Sequence, residues 1–360
     1  MYSGKAKKNA DACRFCWMCR HLCPIQLVTG KETNTPRAKG LLVSLFERGL
    51  EMDAGAAETM YECLLCGACT DNCMTGFDPL VFIRESRTSA TLDDLVPEWA
   101  QQVIDRTMET GNIYGLQETK LSLTNDPKQE EVLVWLGATA RYAVPDVAEA
   151  FLSLLQKANV SFAVLSGEPS SGVALGDLVG HIEDVRKQAQ AAGEAIRQTG
   201  AKKVVVLDSY DAAAFRHEYK EWGIELPEVE TATSFVANLV RDGRLKPKQS
   251  TLTVTYHDAS RLARDLDEHQ PARDLIASMG LKVEEMFQNR RLAKCCGTGV
   301  MGQMQPKLSN KLCQGRWSDA ERTVAKVMIA ACPQSTEALR RCVPDGYTYQ
   351  DLFVLLNEQT

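Results

Sequence analysis

Two cysteine runs of one spacing constrain this chain more than any other feature. The first is Cys13-Arg-Phe-Cys16-Trp-Met-Cys19-Arg-His-Leu-Cys23, with Pro24 after it. The second is Cys63-Leu-Leu-Cys66-Gly-Ala-Cys69-Thr-Asp-Asn-Cys73. Both read C-x2-C-x2-C-x3-C, a spacing that holds a pair of [4Fe–4S] clusters. Three closely spaced thiolates wrap one cubane, and the fourth points away to close the other. The expected sets are therefore Cys13, Cys16, Cys19 and Cys73 for one cluster, and Cys63, Cys66, Cys69 and Cys23 for the second. Zinc knuckles use C-x2-C pairs set far apart, and a disulfide framework does not repeat a four-cysteine run in a long chain. A chain of this kind carries electrons one at a time.

Composition supports a globular electron carrier. The 360 residues are enough for two or three domains, each with its own core. Hydrophobic content of 44% and charged content of 24% are ordinary for such domains. A net charge of −6 argues against nucleic acid as a partner. Charge is uneven around the cysteine runs. Residues 1–48 carry nine Lys/Arg against three Asp/Glu, and residues 49–90 carry two against seven. Such polarity suits either two solvated faces or the docking of a redox partner. Cluster ligands must be reduced thiolates, so a reducing compartment, the cytoplasm, is expected. The residues ahead of Cys13 leave no room for a signal peptide, and no apolar run reaches membrane-spanning length. Any membrane association is expected to come through partner subunits.

The pattern along the chain predicts an α-helical ferredoxin module over 1–115, a linker over 116–130 around Asn125-Asp-Pro-Lys128, and two α/β repeats over 131–245 and 246–360. Within the module, Arg37 to Arg48 and Asp53 to Tyr61 read as helices, and Asp93 to Gly111 as more helix. Strands are expected at Val132–Leu136, Ser161–Leu165 and Lys202–Leu207, then at Leu252–Tyr256, Leu281–Phe287 and Lys326–Ala330, with a helix over Val147–Ala158. Alternation of strands and helices implies parallel pairing. Ala201–Asp208 aligns with Ala325–Cys332 at an offset of 124, Ser170-Ser171-Gly172 with Cys295-Cys296-Gly297 at 125, and Ala138 with Ser260 at 122. Near-constant offsets predict an internal duplication.

At these anchor points the sequence resembles the Cys-Cys-Gly domain family. The family motif is a lone Cys, then Cys-Cys-Gly, then C-x-x-C. Tyr256-His-Asp-Ala-Ser-Arg-Leu-Ala-Arg264 resembles the opening segment, with Ser260 in place of the lone Cys. Cys295-Cys296-Gly297 matches outright, and Cys332-Pro-Gln-Ser335 resembles the close, with Ser335 replacing its last Cys. In the first repeat, Ala138, Ser170, Ser171, Asp208 and Asp211 stand at the five ligand positions. Hard oxygens do not replace thiolates around iron, so that repeat is expected to be metal-free and to serve packing or partner contact. The module order resembles that of the iron–sulfur subunits of glycolate oxidase, anaerobic glycerol-3-phosphate dehydrogenase and heterodisulfide reductase. The likeness is strongest from Cys13 to Arg87, including Thr35-Pro-Arg-Ala-Lys-Gly40 and Arg84-Glu-Ser-Arg87. Met74 departs from it, standing where Pro is usual.

The resemblance implies an electron-transfer subunit between the FAD of a partner dehydrogenase and a further redox or membrane-bound acceptor. It has no substrate turnover of its own and no catalytic residue. Two [4Fe–4S] clusters are the expected cofactors. A third site, for iron–sulfur or zinc, is a candidate at Cys295, Cys296, Cys332 and His257. The alternative is a heterodisulfide-reductase-like catalytic subunit acting there. Arg290, Arg291 and Lys294 could stabilise thiolates beside it or form a solvated turn. Cys313 and Cys342 have no partner spacing and read as buried structural thiols.

Overall fold

The computed structural model describes residues 2–119, 121 and 130–360. The expected turn at 125–128 lies outside them. The amino-terminal part is helical, and polar caps set its main helices. Thr35 accepts from the Ala38 N–H and precedes Pro36, so the helix Pro36–Phe46 starts there. Asp53 caps Ala54–Tyr61 and Asp78 caps Pro79–Leu92 in the same way. The continuous helix expected from Asp93 to Gly111 is broken. Asp94 takes a left-handed φ of 55°, and a new helix, Glu98–Thr110, begins only after Pro97, whose ring cannot sit inside a helix.

The rest of the chain forms two four-stranded parallel sheets. The first holds β1 (Val132–Trp135), β2 (Phe162–Val164), β3 (Lys203–Val206) and β4 (Glu228–Thr231), in the order β2-β1-β3-β4. The second holds β5 (Thr253–His257), β6 (Lys282–Val283), β7 (Val327–Ala330) and β8 (Thr348–Asp351), in the order β6-β5-β7-β8. The two orders are the same, so the fold is duplicated. Strand register agrees with the sequence offsets. Val132 pairs with Lys203 as Val254 pairs with Val327, which gives offsets of 122 for the first strands (254 less 132) and 124 for the third (327 less 203). β6 is shorter than the Leu281–Phe287 stretch expected to form it.

The two repeats share one core. The helices Pro145–Lys157 and Ala232–Arg241 of the first meet Gln270–Ser278 and Leu352–Gln359 of the second. Phe151, Leu155, Val236, Leu275, Ile276, Phe353 and Leu356 fill that layer, along with Val134 and Val205 from one sheet and Val254 and Ile329 from the other. Each repeat thus covers an apolar helical face of its twin. The helical cysteine module sits against both. Ile25, Tyr61, Leu64 and Val103 pack with Leu175 and Leu178 of the first repeat and with Cys295, Met301 and Leu312 of the second. Gly180 sits at this junction, where a Cβ would fall 2.5 Å from the Arg84 carbonyl oxygen. Parallel strands place the loops at their carboxyl ends on one edge of each sheet, the edge where open α/β sheets carry their sites.

Candidate iron–sulfur centres

Both cysteine loops use the same backbone path. Phe15 and Leu65, each two residues after the first cysteine of its run, have φ of 55° and 49°. Trp17 and Gly67, two residues further on, have φ of 67° and 74°. Left-handed residues turn the chain so that successive thiols face one point. For Phe15, Trp17 and Leu65 that conformation costs roughly 1–2 kcal/mol each, which the surrounding structure must offset. A short helical turn then carries the third cysteine, Cys19 on Met18–His21 and Cys69 on Ala68–Asp71. The fourth positions differ. Cys23 is the N-cap of the helix Pro24–Thr29, whereas Cys73 is followed by Met74 and no helix until Pro79. Hydrogen bonds from the segment Thr75–Phe77 make up for the missing helix at Cys73. They outweigh burial and hold its thiol below the ordinary value.

Two cavities open between the loops. One is lined by Cys23, Cys63, Cys66 and Cys69, with Lys39, Glu62, Ile25 and Ile83 around them. The other is lined by Cys13, Cys16, Cys19 and Cys73, with Trp17, Arg37 and Phe77, and Cys69 reaches its edge. Each cavity combines three cysteines of one run with the last of the other. Among the described residues, no three His, Cys, Asp or Glu converge tightly enough for a single metal ion. Thiols spread around a cavity fit a cubane, which is several atoms across, better than one zinc ion. Burial pushes the Cys66 thiol up to about 12, against the pull of the Arg264 guanidinium, and raises Cys23 and Cys69 as well. Four thiolates in that cavity therefore need a cationic occupant, and loading iron there releases protons.

The two centres differ in exposure. Cys16 is exposed, beside Phe15 (49% exposed), Met18 (62%) and Met74 (99%). Trp17 only partly covers its cavity, and the Arg37 guanidinium stacks 3.6 Å from its ring. The other centre is enclosed and faces the second repeat. The Arg264 Nε donates to the Cys66 carbonyl at 2.7 Å, and Cys23 and Cys66 pack in the apolar group that contains Cys295.

Cys295, Cys296, Cys332 and His257 are all buried. They do not form one preformed ion site. His257 Nδ1 accepts from Arg316 Nε at 3.0 Å, and burial together with that guanidinium keeps the imidazole neutral. Cys332 Sγ lies 3.1 Å from Ser209 Oγ. Cys295 packs toward the helical module and Cys296 among Met286, Cys313 and Trp317. The nearby cations serve carboxylates instead of thiols. Arg291 pairs with Asp71 and Asp267, Arg290 with Glu285, and Lys294 with Asp319. Cys313 is buried and donates to the Ala338 carbonyl, but Cys342 is partly exposed, contrary to expectation, because it follows the helix Pro333–Arg340 in a surface turn.

The first repeat holds a cavity of about 250 Å³ at the corresponding place. Ala138, Ser170, Ser171, Asp208 and Asp211 all line it, with Glu168, Arg141 and Gln334. Its carboxylates are held by protein donors. Ser171 Oγ and Trp135 Nε1 donate to Asp211 at 2.5 and 2.9 Å, and Gln334 Nε2 donates to Asp208. The Leu136 and Gly137 N–H groups donate to Glu168, both at 2.8 Å. Glu168 and Arg141 carry no periodic or motif signal, and only the fold brings them to the strand ends. Burial, reinforced by Asp211 and opposed by Arg141, pushes Glu168 up to about 7 and raises both aspartates. At these three groups the folded protein keeps protons that the unfolded chain releases, so their contribution to stability is greatest on the acid side and falls with rising pH. From about pH 4.5 to about 7, Glu168 accounts for a loss of up to about 3 kcal/mol. Thermal unfolding against pH should show this slope in the native protein, and Glu168→Gln should flatten it. An unchanged slope would assign the proton uptake elsewhere.

Comparison with known proteins agrees with this geometry. A family model described as a 4Fe-4S dicluster domain matches residues 9–77, and one described as a cysteine-rich domain matches residues 254–339. A probable membrane-anchored ferredoxin of Chromohalobacter salexigens is 26% identical over 80% of this chain and 46% of its own length. An EtfAB:quinone oxidoreductase of Syntrophomonas wolfei is also 26% identical, over 74% of this chain and 40% of its own. The chain thus spans less than half the length of these relatives. No helix among the described residues is long and apolar enough to cross a membrane. A crystal structure of a hypothetical protein from Helicobacter pylori shares the fold, with a TM-score of 0.60, 10% identity, and coverage of 99% of this chain and 72% of that one. The twin cysteine runs thus lie in a segment similar to a 4Fe-4S dicluster domain, and the Cys295-Cys296-Gly297 turn in one similar to a cysteine-rich domain, the two joined here through like-ordered parallel sheets.

Proposed function

We propose that this chain is the electron-transfer subunit of a flavin-dependent oxidoreductase, with one [4Fe–4S] cluster on Cys13, Cys16, Cys19 and Cys73 and a second on Cys63, Cys66, Cys69 and Cys23. The observation that carries the reading is the exchange of fourth cysteines between the two cavities. When bound, each cluster supplies a one-electron couple, so two in series divide the electron pair of a flavin into single steps. The protein's part is to hold and shield them. Cys16, with the exposed apolar side chains Phe15, Met18 and Met74 about it, forms the surface where a partner exchanges electrons. The basic character of residues 1–48 suits a partner whose docking face is acidic. The relatives named as a ferredoxin and as an EtfAB:quinone oxidoreductase support a flavoprotein on one side and a membrane-bound acceptor on the other. Turnover of a disulfide at the Cys-Cys-Gly turn has less support, since Cys295, Cys296 and Cys332 are each at most 2% exposed.

The test is an anaerobic preparation assayed for iron and acid-labile sulfide, where about eight of each per chain are expected. About four irons together with zinc would overturn the two-cluster reading. A count near twelve would show the third site filled.

A further inference from the structure

The enclosed cavity contains a lysine as well as four thiols. Lys39 lies on the helix Pro36–Phe46 and is 2% exposed. Its Nζ is buried and has no hydrogen-bond partner, and its side chain lines the cavity of Cys23, Cys63, Cys66 and Cys69. Glu62, on the same wall, accepts nothing from it. A buried lysine nitrogen without a hydrogen-bond partner is costly for a protein to carry, charged or neutral. The cost disappears once the cationic iron–sulfide core and its four thiolates together fill the cavity, since that assembly is a net anion whose sulfur atoms accept hydrogen bonds.

We propose that Lys39 is the hydrogen-bond donor and counter-charge to the cluster on Cys23, Cys63, Cys66 and Cys69, and that it sets the potential of that cluster above the other's. The inference rests on the two-cluster reading of the cavities. Reduction adds one negative charge, so a fixed cation in a low-dielectric wall stabilises the reduced form more than the oxidised form. The exposed centre has two cations at its wall, Arg14 and Arg37. Arg37 Nε is also buried without a partner, but its guanidinium stacks on Trp17 and lies 3.8 Å from the Glu32 carboxylate, so its charge is shared in a way that the Lys39 charge is not. The enclosed centre gains further from Arg87 and Arg264, whose guanidinium groups donate to the carbonyls of Cys63 and Cys66. The electron then rests at the centre that faces Cys295, and the exposed centre serves as the exchange point.

The experiment is an anaerobic redox titration of the full chain followed by electron paramagnetic resonance, in native, Lys39→Met and Lys39→Arg forms. The expected result is a lower midpoint for one cluster in Lys39→Met, an unmoved midpoint for the other, and near-native values in Lys39→Arg. Unmoved midpoints in Lys39→Met with full iron content overturn the proposal. Should Lys39→Met lose its iron, the native protein decides alone. Labelled with 15N at lysine Nζ and reduced, it should show a lysine nitrogen hyperfine coupling to one cluster signal, and absence of that coupling overturns the proposal. An iron count below about eight in the native protein would instead overturn the reading beneath it.

Discussion

Cys23→Ala should damage the centre of Cys63, Cys66 and Cys69 and spare the one formed by its own neighbours Cys13, Cys16 and Cys19. Iron should fall from about eight per chain toward about four, through a labile species lacking one iron. Cys19→Ala is the comparison, and it should damage the opposite centre. The cavity linings motivate this, because Cys23 lies with the second run and Cys73 with the first. A structural effect should accompany the loss. Cys23 also starts the helix Pro24–Thr29, which packs against Pro306–Ala320 of the second repeat. Emptying the centre therefore loosens the seam between module and repeat, and limited proteolysis should register it. If paramagnetic resonance finds one centre affected in both variants, the crossing is wrong.

Arg87→Met should be the most destabilising single change outside the cysteines. The guanidinium is 1% exposed and lies 5.0 Å from the Tyr61 ring centroid. It donates to the carbonyls of Met60, Tyr61 and Cys63 in the module and of Asp177 in the first repeat. Methionine fills much of the volume but leaves those carbonyls buried without donors. Each buried carbonyl left without its donor costs about 1–3 kcal/mol, so losing several at once takes a large share of a typical domain's stability. Chemical denaturation should show the midpoint falling accordingly, with iron lost first from the centre that includes Cys63. A change under about 1 kcal/mol would mean that water replaces the guanidinium, and that the arginine does not tie the module to the repeat.

The parts of this protein that were legible in sequence are those whose physics is local. Ligand spacing is local, so the two cysteine runs pointed to iron–sulfur chemistry before any fold was known, in keeping with the dicluster-domain match over 9–77. Buried parallel strands are runs of β-branched residues, and the expected positions of β1, β3, β5 and β7 lie within a residue or two of those observed. The edge strands β4 and β8 escaped because Glu-Val-Glu-Thr and Thr-Tyr-Gln-Asp carry no apolar run. Each pairs on one side only, and their registers come from β3 and β7. The break at Asp94 was hidden by helical composition on both sides of it. The cavity of the first repeat shows the other limit. Its five aligned positions were identifiable, but the residues that join them were not. Glu168, Arg141 and Gln334 reach it from separate loops and turn it into a closed polar network. Lys39 stood within a recognisable motif, Thr35-Pro-Arg-Ala-Lys-Gly40, yet only burial distinguishes it from the surface lysines nearby.

The helical layer shared by the two sheets has a consequence for how such a chain can change over time. Strand ends and helical backs answer to different demands. Ser170, Ser171 and Asp208 stand at strand ends where the second repeat has Cys295, Cys296 and Cys332, and the layer that the twin sheet leans on involves none of them. The backs, at Phe151, Val236 and Leu239, have no such freedom, because deleting the first repeat would leave Leu275, Ile276 and Phe353 facing water. A repeat with no thiols at its strand ends thereby still serves as a wall for its twin, and the residues of its cavity can change at little risk to the shared layer.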